Sequence, residues 1–470
     1  MKLSCYLFCL PIFATLPISS LAEVLDWRNG GNGQYPEAKP AFDWKKEVEW
    51  KTKLDSWSNA SPILVDGKLF VTAEPATLIC LDAKSGEVIW QKANDLGDLA
   101  GGGAGASDAD KQRAAQVAEQ TKPLERKLYR AERRLRRNAD DAKLKAEVAD
   151  LKKQIAELRK DLPKAAADLK RPPTNGTNGY SSYTPVSDGK HVWASFGMGV
   201  VVCYDLEGER IWHQRFEAPD HSWGGACSPR LVGDRLVVRF RDYHGLDPAT
   251  GEKLWKTPSE GVVFNAAAYF DLEGKSFLIT PRGELIRASD GKKVWSAGYK
   301  IESKSWSFHN TPSVIGNRVY FAHGVEGQQG DAYCLEIPSS VAKLEGEGLK
   351  QIWYTEVAKN RFYSSPLVID GIVYLITRNY DLLALDAASG ESFYEQKIKG
   401  LTGTAYPSLT RAGDVIVVGA DDGKVAFVKP GKSFEEIERT EVAPFRSSPI
   451  FAGGVGYLRT LEGLLAVKGR

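Results

Sequence analysis

The side chains best placed to meet a ligand recur at one fixed point, three positions before a repeated proline. They are Asn59, Ser182, Ala226, His309, Tyr363, Thr404 and Arg446, with Asn265 at the matching point of a copy lacking the proline. All but Ala226 can hydrogen-bond, Arg446 as a cation and His309 through an imidazole. Polar groups held on a rigid scaffold orient a ligand without transforming it. No Asp or Glu stands among them, whereas calcium takes oxygen ligands with carboxylates among them. The six histidines (His191, His213, His221, His244, His309 and His323) show no metal-ligand spacing and read as solvated loop residues. No Gly-x-Ser-x-Gly elbow and no phosphate-cradling Gly-Lys-Ser/Thr loop occurs, so neither a catalytic residue nor a metal ligand is assigned. A second cluster, Arg133, Arg134, Arg136 and Arg137, concentrates positive charge that suits an anionic partner.

The elements that position the first set are repeats. One half-unit is a Ser/Thr-Pro step, an apolar strand, an Asp-Gly turn and a second strand, as in Ser61 to Val71. It returns at Thr184-Pro185, Ser228-Pro229, Thr311-Pro312, Ser365-Pro366, Tyr406-Pro407 and Ser448-Pro449, and without the proline at Asn265 to Ala268. The other half runs from Leu81-Asp82 to Trp90 and recurs at Tyr204 to Trp212, Leu246 to Trp255 and Leu385 to Tyr394. Asp-Gly supplies the positive φ of a tight hairpin, and the Asp of the second half accepts backbone N–H groups across its Ser/Thr-Gly turn. The closing Trp is a wedge whose burial stabilises by roughly 4–6 kcal/mol gross. Proline spacings of 41 and 42 late in the chain, with four strands per unit, describe a propeller blade. There are eight first strands. The last repeat lacks a fourth strand, so the early segment Val48-Glu49-Trp50 is predicted to complete it. The fold class is all-β: an eight-bladed propeller whose N-terminal strand closes the last blade. The eight pre-proline residues then ring the mouth of the axial channel.

The Asp-x-x-Thr/Ser-Gly-x-x-x-Trp run in these repeats resembles the hallmark of the PQQ-like (pyrroloquinoline-quinone-type) β-propeller family. Its members include quinone-dependent dehydrogenases and binding proteins of the BamB type. The dehydrogenases hold PQQ and calcium near the channel mouth with carboxylate and amide ligands, an Asp base and usually adjacent cysteines. Here Asn59 and Asn265 could offer amide oxygens, but the ring carries no carboxylate and the chain no Cys-Cys pair. The resemblance therefore implies a non-catalytic binding or assembly scaffold. The alternatives are a PQQ-dependent oxidoreductase, and a carbohydrate or envelope-polymer module using Trp57, Tyr180, Trp223 and Trp306. The opening Asp26-Trp27-Arg28-Asn29-Gly30-Gly31-Asn32-Gly33 also looks like the lead-in of exported members with no assigned activity.

Between the first two blades, residues 94–178 break the pattern. Gly101-Gly102-Gly103-Ala104-Gly105 reads as a flexible hinge. Beyond it, Ala114, Val117, Thr121, Leu124, Leu128, Ala131 and Leu135 form one heptad seam. Leu144, Val148, Leu151, Ile155, Leu158 and Leu162 form a second, so the two predict an antiparallel coiled-coil hairpin turning at Asn138 to Asp141. Pro123 is expected to start or kink the first helix. The second helix, near 23 residues, would be about 34 Å long. Lys111 to Lys170 carries 18 Lys+Arg against 10 Asp+Glu, while the 470-residue chain is almost neutral at +2. The hairpin is thus the surface for an envelope protein or an anionic polymer; nucleic acid is not an expected partner. Lys2, the apolar run Leu3 to Leu16 and Ser20-Leu21-Ala22 read as a signal peptide over 1–22. An exported protein, periplasmic or secreted, with no transmembrane segment after cleavage is expected. The remaining units are 23–93 (lead-in, closing strand and first blade) and 179–470 (blades two to eight). Cys80, Cys203, Cys227 and Cys334 read as small buried hydrophobes.

Overall fold

The turns form as their residues dictate, with one variation. At Asp66-Gly67 and Asp370-Gly371 both residues have positive φ, 47° and 69° in the first, 47° and 77° in the second. This twist matches that of the flanking strands. At Asp188-Gly189 only the glycine does, and Asp188 instead accepts the N–H groups of Lys190 and His191. In the second half-unit, Asp82 accepts from Lys84 and Ser85, Asp247 from Ala249 and Thr250, and Asp386 from Ala388 and Ser389. These backbone bonds hold the three carboxyls below their ordinary pKa.

The computed structural model describes residues 23–99, 107–138, 140–160, 162, 169–219, 221–259, 264–296 and 309–470. Residues 1–22, expected as a signal peptide, and residues 101–105, expected as a hinge, lie outside them. The hairpin pairs assemble into eight sheets, one per blade. Blade 1 comprises Ile63–Val65, Lys68–Ala73, Thr77–Asp82 and Val88–Ala93. Blade 8 comprises Ile450–Ala452, Val455–Arg459, Gly463–Lys468 and, as its outer strand, Val48–Lys53. Trp50 pairs with Ala466. The ring is therefore an eight-bladed propeller sealed by the front of the chain.

Neighbouring blades join in three layers. Apolar side chains interleave, as where Ile63, Val65 and Phe70 meet Val192, Ala194 and Phe196. At the rim, the outer-strand tryptophans dock on the next blade. Indole N–H groups of Trp50, Trp90, Trp212, Trp255 and Trp353 donate to Ala83, Leu206, Pro248, Ala288 and Ala387. The ring faces lie against turn glycines: a Cβ on Gly86 would stand 2.4 Å from Trp50, and one on Gly251 2.7 Å from Trp212. These tryptophans are only partly wedges, since Trp50, Trp90 and Trp255 remain half-exposed. Opposite them sit small residues: Cys80 pairs with Trp90, Cys203 with Trp212 and Cys334 with Trp353. The four described cysteines are free and buried, and burial raises their thiol pKa to about 11 or 12.

The innermost layer is a hydrogen-bonded belt. The amide of Thr311 donates to the Ser365 hydroxyl (2.9 Å), that of Ser365 to Ser408 (3.1 Å), Ser408 to Ser448 (3.1 Å) and Ser448 to Ser61 (3.0 Å). Ser61 continues it to Thr184 and Thr184 to Ser228, both at 3.0 Å. In blade 4 the position is Ala266, which has no hydroxyl, and Thr311 Oγ1 donates to its carbonyl instead. Every first strand begins two residues after its belt residue, as Ile63 after Ser61 and Thr410 after Ser408.

The lead-in crosses beneath the axis. Val24 exchanges two backbone bonds with Leu64, and Ser187 donates to Leu25. Buried Arg230 bonds Asp26 at 2.6 Å. Buried Arg28 bonds the carbonyl of Leu409 (2.9 Å), and Gln34–Tyr35 pairs in parallel with Arg411 and Ala412. Arg28, Asn29, Gly30, Gly31 and Gly33 all have positive φ, so this segment coils tightly. Burial pushes the Arg28 pKa down to about 9.

In the insert, α1 (Asp108–Arg137) and α2 (Ala142–Arg159) run antiparallel, with Glu125 facing Arg159, Glu132 facing Lys152 and Arg134 facing Glu147. Ala131, Val148 and Leu151 pack with Leu124, Leu128 and Leu135. Three expectations are corrected. Pro123 does not start α1 but lies inside it. α2 has 18 residues, because its helix stops at Arg159. Leu158, placed in the seam by periodicity, is exposed.

Candidate functional site at the channel mouth

The belt sets the geometry of the mouth. Two residues before each belt position stand Asn59, Ser182, Ala226, Phe264, His309, Tyr363, Tyr406 and Arg446, and all eight line one cavity of about 550 Å³. Of the eight predicted positions, Asn59, Ser182, Ala226, Asn265, His309, Tyr363 and Arg446 line it, and Thr404 does not. The physical reason is register. In blade 7 the proline is Pro407 but the belt serine is Ser408, so the proline is displaced and Tyr406 takes the lining place. The Thr404 amide instead donates to Asp421 (2.8 Å). In blade 4 the equivalent residue is Phe264, with Asn265 beside it.

Three members of the predicted polar ring, Asn59, Ser182 and Arg446, are tied into structure. Asn59 Nδ2 donates to Thr177 O (2.7 Å) and Ser182 Oγ (2.8 Å), and Arg446 Nη1 donates to Thr177 O (3.1 Å). Glu74 holds the incoming chain by accepting the amides of Tyr180 (2.7 Å) and Ser181 (2.6 Å). Burial raises its carboxyl pKa. The end of the insert thus folds over one side of the mouth.

The other side is aromatic. Phe264 stacks on His309 (5.9 Å, 8°), His309 meets Tyr363 edge-on (5.0 Å), and Tyr363 lies 5.1 Å from Tyr406. Arg446 sits over Tyr406 (5.8 Å), and Arg361 donates to the Tyr363 hydroxyl (3.3 Å). Burial first, then Arg361, lowers the His309 pKa to about 4. Trp27 of the lead-in also lines the cavity, with Arg28 and Arg230 packed against its ring (5.3 and 5.2 Å). The lead-in therefore stoppers the axial channel.

Sequence reasoning missed Trp27, Phe264, Asn310, Arg361 and Tyr406 as lining residues. The Ser408 alignment could have revealed Tyr406. The histidines also differ from expectation: His309 is half-buried and His323 is buried, bonded to Tyr333 (3.0 Å). Of the four proposed carbohydrate aromatics, Trp223 lines the cavity, Trp57 and Tyr180 do not, and Trp306 lies outside the described residues. Arg134 is exposed and 3.5 Å from Glu147; the side chains of Arg133, Arg136 and Arg137 lie outside the described set.

The oxygen donors at the mouth are amides, hydroxyls and carbonyls, and none of the described lining residues is a carboxylate. With two guanidiniums present, that donor set does not fit calcium. Among the described residues no group of three His, Cys, Asp or Glu is placed to hold a metal ion.

Eight blades around a stoppered axis, five of them docked on the next through a tryptophan N–H, define a PQQ-like β-propeller. The family model of the outer membrane protein assembly factor BamB matches residues 41–127, 197–324 and 281–463, and the chain belongs to that family. BamB of Yersinia pestis is 24% identical over 264 residues, covering 54% of this chain and 65% of the relative. BamB of Burkholderia pseudomallei is 24% identical over 269 residues, covering 53% and 63%. The chain thus spans less than two thirds of these curated relatives. Among solved structures, BamB from Moraxella catarrhalis superposes with TM-score 0.54 at 12% identity, over 89% of this chain and 96% of that one. A europium-containing methanol dehydrogenase gives 0.56 at 10%, over 93% and 89%. At these identities the likeness is one of fold.

Proposed function

We propose that this chain is an exported, non-catalytic binding and assembly scaffold of the cell envelope. It engages an envelope protein or an anionic polymer through the basic hairpin. Support comes from the family, whose named members are assembly factors. The observation that carries the reading is the mouth itself. Where a quinone enzyme would need carboxylates, the described lining offers Arg361, Arg446 and no Asp or Glu. The axis beneath is occupied by Trp27 and Arg28.

The test is affinity capture from the native envelope with the full chain, with a variant in which a short Gly-Ser loop replaces α1 and α2, and with Arg134→Glu. Retention of envelope partners by the full chain and their loss without the hairpin is the expected result. Equal capture by all three would remove the hairpin from the proposal. The second reading is a PQQ-dependent oxidoreductase, the other activity that the PQQ-like propeller resemblance implies. Micromolar PQQ binding with calcium, together with dye-linked alcohol oxidation, would replace the scaffold reading.

A further inference from the structure

The assembly reading leaves the mouth cavity without an occupant, yet three features of its lining describe one. The first is charge. Arg361 and Arg446 stand on the wall with no carboxylate among the described lining residues. Arg446 Nε is buried without a hydrogen-bond partner, the nearest acid being Asp421 at 3.9 Å. An anion entering here finds guanidinium donors suited to carboxylate or phosphate.

The second is shape. The arc Phe264, His309, Tyr363 and Tyr406 presents ring faces and edges in succession above the Trp27 floor. Such a wall accepts the flat or C–H face of a ring. The third is a missing donor. Asn310 lines the cavity at 2% exposure and directs Nδ2 to the carbonyls of Ala322 (2.7 Å) and Phe362 (3.0 Å). Its Oδ1 is buried with no partner. A buried acceptor left unsatisfied costs free energy that a ligand hydroxyl would recover.

We infer that the cavity binds an anionic sugar: a hydroxylated ring bearing one carboxylate or phosphate. The acid meets Arg361 and Arg446, a hydroxyl donates to Asn310 Oδ1, and the ring lies against the tyrosines. This goes beyond the assembly role and uses a different surface, so either can fail alone.

The experiment is calorimetric titration of the purified full chain, with tryptophan fluorescence as a second readout from Trp27 and Trp223. The probes are glucuronate, glucose 6-phosphate, neutral glucose, benzoate (an acid ring without hydroxyls) and PQQ. At least one acidic sugar should bind about tenfold or more tighter than glucose and benzoate. Comparing the two acidic sugars identifies the acid group. Arg361→Gln should erase the preference over glucose. Asn310→Leu should weaken the acidic sugar while leaving benzoate unchanged. Equal binding of glucose and both acidic sugars, preference for benzoate or PQQ, or no binding of any probe would overturn the inference. The wild-type series decides the matter even if a variant fails to fold.

Discussion

Gly86→Ala would place a methyl group 2.4 Å from the Trp50 ring on a backbone whose φ is +74°. Left-handed strain and overpacking together should lower stability by about 2–4 kcal/mol in urea unfolding. Gly67→Ala, at φ +69° with nothing within 4 Å, should cost only about 1 kcal/mol. Acidity acts at the same scale through His323. Burial lowers its pKa from 6.5 to about 3, so the unfolded chain binds its proton more readily than the native one. Its contribution to stability is full above pH 6.5 and falls as the pH drops toward 3. His323→Gln should flatten the acid limb of a melting-temperature profile, and an unchanged limb would assign the loss elsewhere. Cys80, Cys203 and Cys334 were legible as buried because each stands just before the Leu/Tyr-Asp/Glu step of its repeat. Why that position is small was not legible, since the opposing Trp90, Trp212 and Trp353 are cross-strand neighbours that linear spacing does not reveal.

Between blades, the serine belt makes a separate prediction. Ser365→Ala removes the acceptor of the Thr311 amide and leaves that amide buried, at a cost of about 1–3 kcal/mol by calorimetric melting. Blade 4 shows that the ring tolerates one such gap, because Ala266 already lacks the hydroxyl. The hairpin should behave oppositely. Its link from Glu125 to Lys170 is an exposed ion pair, which contributes little. Replacing α1 and α2 by a short linker should therefore keep one cooperative transition within a few degrees of the parent while removing helical circular dichroism. The two helices were readable from periodicity. Their ends were not, since a heptad count ignores where hydrogen bonding stops, and it put Leu158 in the seam although that residue faces solvent. At the mouth, the proline spacing located most of the lining but shifted blade 7 by two residues, because Ser408 rather than Pro407 keeps the register.

Across the whole molecule, the lead-in strap links blades that are distant in sequence. Asp26→Ala would strand Arg230 as a buried cation, and breaking such a pair costs about 3–5 kcal/mol, measurable as a shifted urea midpoint. The number of blades and their closure were legible because each strand type can be counted. The strap was not, because its hold depends on a run of positive-φ residues and on the carbonyls of Pro366 in blade 6 and Leu409 in blade 7, which Arg28 reaches. The closing strand has a temporal side. Val48–Lys53 is synthesised before any blade exists, whereas its partner Gly463–Lys468 emerges only after the other seven blades. Through most of synthesis an amphipathic ribbon with unsatisfied peptide groups waits for a mate. At high concentration it can pair with the tail of a second polypeptide, and two chains exchanging their fronts would yield a domain-swapped dimer in which every ring is still complete.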